Sequence, residues 1–171
     1  MSSFSPEPLL VTGATGCVGS QVCLRAQALG VPLRGLVRLS SEADWLHRLG
    51  IPVVTADLAS PDRLERAVAE VTRVVHCAAR VGLGSPLDFR RLHVEGLRRL
   101  LDSLAQHGRV RQFVLLSSLG VHALRDHHGT DETVSPAERG LGDCLHSLVE
   151  AEGLALDWGA THGVSVTVLR P

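Results

Sequence analysis

The chain has 171 residues, of which 44% are hydrophobic and 20% charged, and its formal net charge at pH 7 is -1. This balance is typical of one globular domain, and it excludes a global field that would attract nucleic acid or an anionic membrane. No apolar run approaches the roughly 20 residues that span a bilayer, and 1–8 lack the pattern of a signal peptide, so we expect a cytoplasmic protein without a membrane anchor.

Lysine and tyrosine are both absent from the sequence. Their absence excludes Schiff-base chemistry, a phosphate-binding loop of the GxxxxGK type and any mechanism that needs a tyrosine acid. The cysteines have no metal-ligand spacing, so we expect reduced thiols and no metal site. They are Cys17, Cys23, Cys77 and Cys144.

Apolar runs alternate with amphipathic segments along the chain, which is typical of a parallel sheet wound with helices. The sequence predicts strands at 8–12, 32–37, 52–55, 73–77, 111–117 and 164–169. It predicts helices at 17–28, after Ser41, from Ser60-Pro61 to about Glu70, at 87–106 and at 143–160, with a loop over 124–142. Ser41 with Asp44 resembles a capping box, and Ser60-Pro61 resembles an N-cap followed by proline. Two successive βαβαβ halves predict a doubly wound parallel sheet of about six strands in the order 3-2-1-4-5-6.

The loop TGATGCVG, from Thr12 to Gly19, joins the first strand to the first helix. Gly13 allows a tight turn, Gly16 a close approach of the backbone to a pyrophosphate, and Gly19 close packing of the helix on the strand. Such a loop alone is a weak signal, but its position between a strand and a helix favours an NAD(P)-binding Rossmann fold. The residues expected to bind the cofactor here are Gly13, Thr15, Gly16, Cys17, Val18 and Gly19.

Three later features support this prediction. Arg38, past the second strand, favours NADP over NAD, because NAD sites usually carry an acidic residue there; a solvated arginine is the alternative interpretation. Asp57 and Leu58 follow the third strand, where a carboxylate can face adenine or cap the next helix. Small residues end the fourth strand and leave room for a flat ring, and they are Cys77, Ala78 and Ala79.

With these features, the sequence resembles the extended short-chain dehydrogenases/reductases, the NAD(P)-dependent epimerase/dehydratase family. Its nearest likeness is to the dihydroflavonol reductase and 3β-hydroxysteroid dehydrogenase branch. The matching stretches are TGATGCVGS, GLVR, ADLASP, VVHCAA, HVEGLRRLL, FVLLSSLGV and VTVLRP. The resemblance implies hydride transfer between a nicotinamide and a carbonyl or carbinol carbon of a small-molecule substrate that the sequence does not identify. It also implies a homodimer through helices 87–106 and 143–160.

The family's proton-transfer pair has no counterpart in this chain. Ser118 matches the family's catalytic serine, and Ser117 beside it is expected to contact the cofactor. Cys144 stands where the family has tyrosine and Leu148 where it has lysine. We expect Cys144 to be a half-buried helix residue rather than a replacement acid.

Several histidines are alternatives for the missing proton donor or for a metal ligand. His93 stands where the family has asparagine. His122 and His146 are expected to be surface histidines rather than replacement acids. The triplet Asp126-His127-His128 lacks a matched third ligand for a metal.

The family continues beyond the stretch that ends at Pro171, so we expect residues 1–171 to be a single Rossmann domain without the family's substrate-binding lobe. Three hypotheses stay open. The chain is a truncated or decayed family member that binds nucleotide with little or no turnover, an active oxidoreductase that uses Ser118 and another acid, or a non-enzymatic NADP-sensing or interaction domain.

Overall fold

The computed structural model describes residues 8–60, 64–122, 128, 131–137 and 140–171. Within these residues six short strands form one parallel sheet in the order β3-β2-β1-β4-β5-β6, which confirms the predicted topology. Thr12, the last residue of β1, pairs with Leu36 on one side and His76 on the other, so three central strands end together at one edge. The strands are β1 (Leu9–Thr12), β2 (Leu33–Val37), β3 (Val53–Thr55), β4 (Arg73–His76), β5 (Gln112–Leu116) and β6 (Ser165–Leu169).

Helices cover both faces of the sheet. Adjacent residues of β1 point to opposite faces, and each joins a different buried cluster. Val11 packs in a cluster with Cys23 of the first helix, whereas Leu10 packs in a second cluster with Leu100 and Trp158. This two-sided burial explains why the strands are continuous apolar runs. The helices are α1 (Cys17–Ala28), α2 (Asp44–Arg48), α3 (Leu64–Val68), α4 (Pro86–Arg90), α5 (Leu97–His107) and α6 (Asp143–His162).

The helix predicted over 87–106 is one helical segment with an unpredicted interruption. Between α4 and α5 the chain forms a π-helical stretch, Arg91–Gly96. The segment begins with a capping box that the sequence analysis missed: the Asp88 N–H donates to Ser85 Oγ at 3.2 Å, and the Ser85 N–H donates to the Asp88 carboxylate at 3.1 Å. Pro86 follows the cap, so the stretch Ser-Pro-Leu-Asp carried the signal.

The capping box predicted at Ser41 and Asp44 is wrong. The N-cap of α2 is Ala43 and has no side-chain hydrogen bond, because Ser41 instead lies in the turn after β2, where its N–H donates to the Arg38 carbonyl at 3.0 Å. The prediction at Ser60-Pro61 falls partly outside the described residues. The described residues of the predicted loop 124–142 form turns and bends, with no helix or strand among them.

Candidate functional site

A cleft of about 780 Å³ opens at the carboxyl ends of the central strands, the edge where ligands bind in folds of this kind. A second cleft of about 520 Å³ adjoins it, and the two share Arg38, Ala56 and Asp57. Five separate segments of the chain therefore meet around one space. The predicted cofactor-binding residues that line the larger cleft are Gly13, Thr15, Gly16, Arg38, Asp57, Leu58, Cys77, Ala78 and Ala79, and those that do not are Cys17, Val18, Gly19 and Ser117.

The glycine loop has the shape of a cradle for a phosphate. Gly13 has a φ of 64°, and a Cβ there would lie 2.8 Å from the Ala78 nitrogen. A Cβ on Gly19 would overlap the Gly13 carbonyl group, only 2.8 Å from its carbon. Gly16 is the N-cap of α1 and has no side chain that could accept from the N–H groups of the first turn. These donors and the positive end of the helix dipole thus fit the pyrophosphate of a dinucleotide.

A buried hydrogen bond joins β1 to β4 beneath this loop. Thr12 Oγ1 lies 2.9 Å from His76 Nδ1 and accepts from the Ala78 N–H at 3.3 Å. Burial lowers the pKa of His76 to about 4, and the nearby His93 adds to this effect, so the imidazole is neutral at pH 7. Nδ1 of the neutral imidazole thus accepts a hydrogen bond from the Thr12 hydroxyl, whose oxygen accepts from Ala78. The pair therefore fixes the ends of two strands and the loops that follow them.

Arg38 and Asp57 mark one end of the cleft. Asp57 accepts a hydrogen bond from the Ala59 N–H at 2.8 Å, so its carboxylate holds its own turn. Arg38 is exposed, and in the part of the chain that the structure describes no carboxylate pairs with it. Ser40 and Ser60 line the smaller cleft beside Arg38. A guanidinium flanked by hydroxyls is a suitable donor set for a phosphate group.

The residues predicted to occupy the family's catalytic positions are not among those that line this cleft. Ser118 is half-buried, and its Oγ accepts from the Gly120 N–H at 3.2 Å. Cys144 is also half-buried, as predicted, and its thiol donates to the Arg80 carbonyl at 3.5 Å. Burial raises the pKa of this thiol, and Leu148, one turn later in α6, is buried. Neither Cys144 nor Leu148 therefore offers a side chain that exchanges a proton readily near pH 7.

A closed ring of hydrogen bonds, here called the His93 ring, links Arg80, which lines the cleft, to two helical segments. The Arg80 N–H donates to His93 Nε2 at 2.9 Å, and His93 Nδ1 lies 2.7 Å from Ser147 Oγ. Ser147 Oγ donates to the Cys144 carbonyl at 2.7 Å, and the Cys144 thiol closes the ring at Arg80. Because the Ser147 proton is used there, His93 donates from Nδ1 and is neutral. Burial lowers its pKa in agreement with this assignment.

The prediction of a surface histidine is wrong for His122, whereas His146 is exposed as predicted. His122 is buried because it packs beside Arg170, whose Nη1 lies 3.2 Å from its Nε2. Arg170 also donates to both oxygens of the buried Glu152, from Nε at 3.1 Å and from Nη2 at 2.6 Å. Ser117 donates its hydroxyl to the same carboxylate. Ser117 thus contacts Glu152 and does not line the cleft.

Three charged residues that the sequence analysis missed also line the cleft: Arg80, Asp88 and Arg91. Hydrogen bonds from Ser85 lower the pKa of Asp88, and the charges of Arg80 and Arg91 lower it further, so both guanidinium groups lie near this carboxylate. An arginine directly after VVHCAA was the available signal for Arg80. No motif in the sequence pointed to Arg91.

Two kinds of site are absent from the residues that the structure describes. Those residues contain no cluster of histidine, cysteine and acidic side chains that could hold a metal ion. They also contain no helix that is both long and apolar enough to cross a membrane. Of the triplet Asp126-His127-His128, only His128 lies in the described part of the chain.

The fold and the cleft define this chain as a Rossmann domain of the nicotinamide-dinucleotide type. The model of the NAD dependent epimerase/dehydratase family matches residues 9–171, and the chain belongs to this family, as its motifs predicted.

Known proteins resemble the chain over nearly its whole length. Sterol demethylase protein B of Methylococcus capsulatus is 30% identical over 166 residues, which are 95% of this chain and 50% of that protein. A Synechocystis protein that carries the name of a dihydroflavonol 4-reductase is 32% identical over 165 residues, 94% of this chain and 47% of its own. The solved Thermus thermophilus UDP-glucose 4-epimerase in complex with NAD has a TM-score of 0.84 and 26% identity, and the match covers 95% of this chain and 54% of that one. The chain thus spans about half the length of these proteins.

Proposed function

We propose that this chain is a single Rossmann domain that binds a nicotinamide dinucleotide in the larger cleft, prefers NADP to NAD, and has little or no turnover by itself. The glycine cradle is the observation that carries the proposal. Side chains at Gly13 and Gly19 would collide with backbone, and the first turn of α1 presents its N–H groups without a capping side chain. The pyrophosphate would be held by this turn, with Gly16 nearest to it.

The preference for NADP follows from Arg38. Its guanidinium is exposed at the mouth shared by the two clefts, and Ser40 and Ser60 supply hydroxyl donors beside it. A 2′-phosphate would meet these donors, whereas the 2′-hydroxyl of NAD would lack the carboxylate that usually accepts from it. Asp57 and Leu58 would face the adenine ring from the end of β3.

The low turnover follows from Cys144 and Leu148. When bound, the dinucleotide supplies a ring carbon that gives or accepts a hydride. Ser118 could orient a substrate oxygen, but the half-buried thiol of Cys144 has a raised pKa and Leu148 supplies no charge to lower it. Positioned acid–base catalysis is typically worth about 100- to 10,000-fold, so its loss leaves little of the family's activity.

The test is a fluorescence titration with NADPH and NADH. We expect saturable binding of NADPH and weaker binding of NADH. Arg38→Gln should weaken NADPH about tenfold, the effect of a lost charge-assisted hydrogen bond, and leave NADH unchanged. Arg109→Gln is the matched control, because Arg109 is exposed, pairs with Glu70 and lies outside both clefts. Failure of NADPH to bind would refute the proposal, and equal binding of NADPH and NADH would refute its NADP preference.

A second candidate is a non-enzymatic NADP-sensing or interaction domain, and the His93 ring favours it. In this ring Cys144 holds a backbone carbonyl instead of facing a substrate. Helices α4, α5 and α6 would provide the surface that binds a partner. The homodimer implied by the resemblance would use the same helices. Turnover of aldehydes or ketones by the purified chain would refute this candidate, and light scattering that showed a monomer would refute the homodimer.

A further inference from the structure

Arg80 lines the larger cleft, and its carbonyl contacts Cys144, which lies one helical turn before Leu148, where the family's lysine has no counterpart. The chain has 17 arginines and no lysine, so any permanently charged cationic side chain near the nicotinamide must be an arginine. Three arginines line the larger cleft: Arg38, Arg80 and Arg91. Arg38 is at the adenine end with Asp57, whereas Arg80 directly follows Ala79 and contacts Cys144 through its backbone.

The backbone of Arg80 is fixed while most of its guanidinium stays available. Its N–H and carbonyl groups belong to the His93 ring. Its Nε donates to the Leu83 carbonyl at 3.4 Å, and a Cβ on Gly84 would lie 3.0 Å from this nitrogen. The loop thus folds closely against one edge of the guanidinium, and the residue remains exposed. Guanidinium has five N–H donors, so four remain for a ligand.

The charges along the cleft leave an excess of cation at this end. Asp88 lies near Arg80 and Arg91, but it is exposed and its carboxylate is hydrogen-bonded in the capping box with Ser85. Such a carboxylate compensates one guanidinium and leaves the second without a full counter-charge. A phosphate matches the donor geometry of arginine, because it accepts two parallel N–H bonds, as a carboxylate also does.

We infer that the Arg80 guanidinium binds the nicotinamide-side phosphate of the dinucleotide and supplies the cation that this chain lacks at Leu148. The inference rests on the proposed function, since it requires that the cleft hold a dinucleotide. Arg80 and the glycine loop would then contact the pyrophosphate from two walls of the cleft. The adenine-side groups would not depend on Arg80.

The test compares NADPH with 2′,5′-ADP, which contains the adenine half and lacks the nicotinamide-side phosphate. Arg80→Gln should weaken NADPH about tenfold and leave 2′,5′-ADP within about twofold of the wild type. Arg80→Lys, which keeps the charge but loses the fork of donors, should fall between the two. Arg109→Gln removes the same charge at an exposed site outside the cleft and should change neither affinity. The substitutions at Arg80 leave the His93 ring intact, because the ring uses only the backbone of this residue.

The outcomes separate the inference from the proposed function. If Arg80→Gln binds NADPH as the wild type does, or loses NADPH and 2′,5′-ADP equally, the role of Arg80 is refuted while dinucleotide binding stands. If the wild-type chain binds neither ligand, the proposed function is refuted and the role of Arg80 with it. Arg38→Gln serves as the positive control, because it should weaken both ligands.

Discussion

Gly19→Ala tests whether α1 packs against the glycine turn as the structure describes. Alanine favours a helix interior over glycine by about 1 kcal/mol, so helix propensity alone predicts a gain in stability. The new Cβ would overlap the Gly13 carbonyl group, at 2.8 Å from its carbon and 3.3 Å from the Ala14 Cα. These are backbone atoms and cannot rotate away, so the overpacking falls at the upper end of its usual range, about 3 kcal/mol. The net expectation is a loss of about 2 kcal/mol in the free energy of unfolding.

Gly153→Ala is the matched control for this prediction. Gly153 also lies in a helix, α6, but nothing lies within 4 Å of a Cβ built there. It should therefore show the propensity gain, up to about 1 kcal/mol, without the clash. Urea unfolding followed by tryptophan fluorescence measures both variants, because Trp45 and Trp158 pack with the clusters on opposite faces of the sheet. If both variants are stabilised, α1 does not contact the turn as described, and the loop does not form the close-packed phosphate cradle.

Two further predictions concern buried polar groups. Glu152→Gln should lower the free energy of unfolding by about 3 kcal/mol, because it removes the buried charge that pairs with Arg170. Arg90→Gln, at the exposed pair with Glu150, should change it by less than about 1 kcal/mol. Equal losses in urea unfolding would refute this difference between the buried and the exposed pair. His76 has a pKa lowered from 6.5 to about 4, so the unfolded chain binds more protons between these values and stability should fall as the pH drops from about 6.5 to about 4. His76→Gln should make that decline shallower, by at most about 1.4 kcal/mol per pH unit. Urea unfolding at several pH values measures the slope of the free energy of unfolding against pH. An unchanged slope would show that His76 is not the group that titrates.

The order and positions of the strands were predictable from the sequence where hydrophobic periodicity and turn residues agreed. The strand order follows from two βαβαβ halves, and strand positions such as 73–77 came within a residue of the observed Arg73–His76 because both faces of each strand are buried. The capping box at Ser41 failed for a local reason. Ser41 has the right spacing to Asp44, but its N–H is already used in the turn with the Arg38 carbonyl. Spacing alone does not reveal such a competing hydrogen bond.

The candidate site was predictable where a backbone requirement selects a residue type. Gly13 and Gly19 could be chosen because side chains are excluded there. Arg91 could not, since arginine is common on surfaces and only the fold shows which arginines reach the cleft. His122 was misjudged for the related reason that its burial depends on Arg170, which lies 48 residues later in the sequence.

The residues predicted to occupy the family's catalytic positions bear on the choice between a decayed enzyme and a binding domain. Cys144 closes the His93 ring with its thiol, and the ring also uses His93 where the family has asparagine. Leu148 is buried, so a lysine at this position would bury a charge at a cost of several kcal/mol unless it found a partner. The double substitution Cys144→Tyr with Leu148→Lys would thus break the hydrogen bond to the Arg80 carbonyl and bury one charge. It would leave the residues around these two positions unchanged. Intact NADPH binding without turnover in that double variant would fit a site whose surroundings are organised around Cys144, His93 and Arg80. Recovered turnover would instead show that the surroundings still accept the family's chemistry.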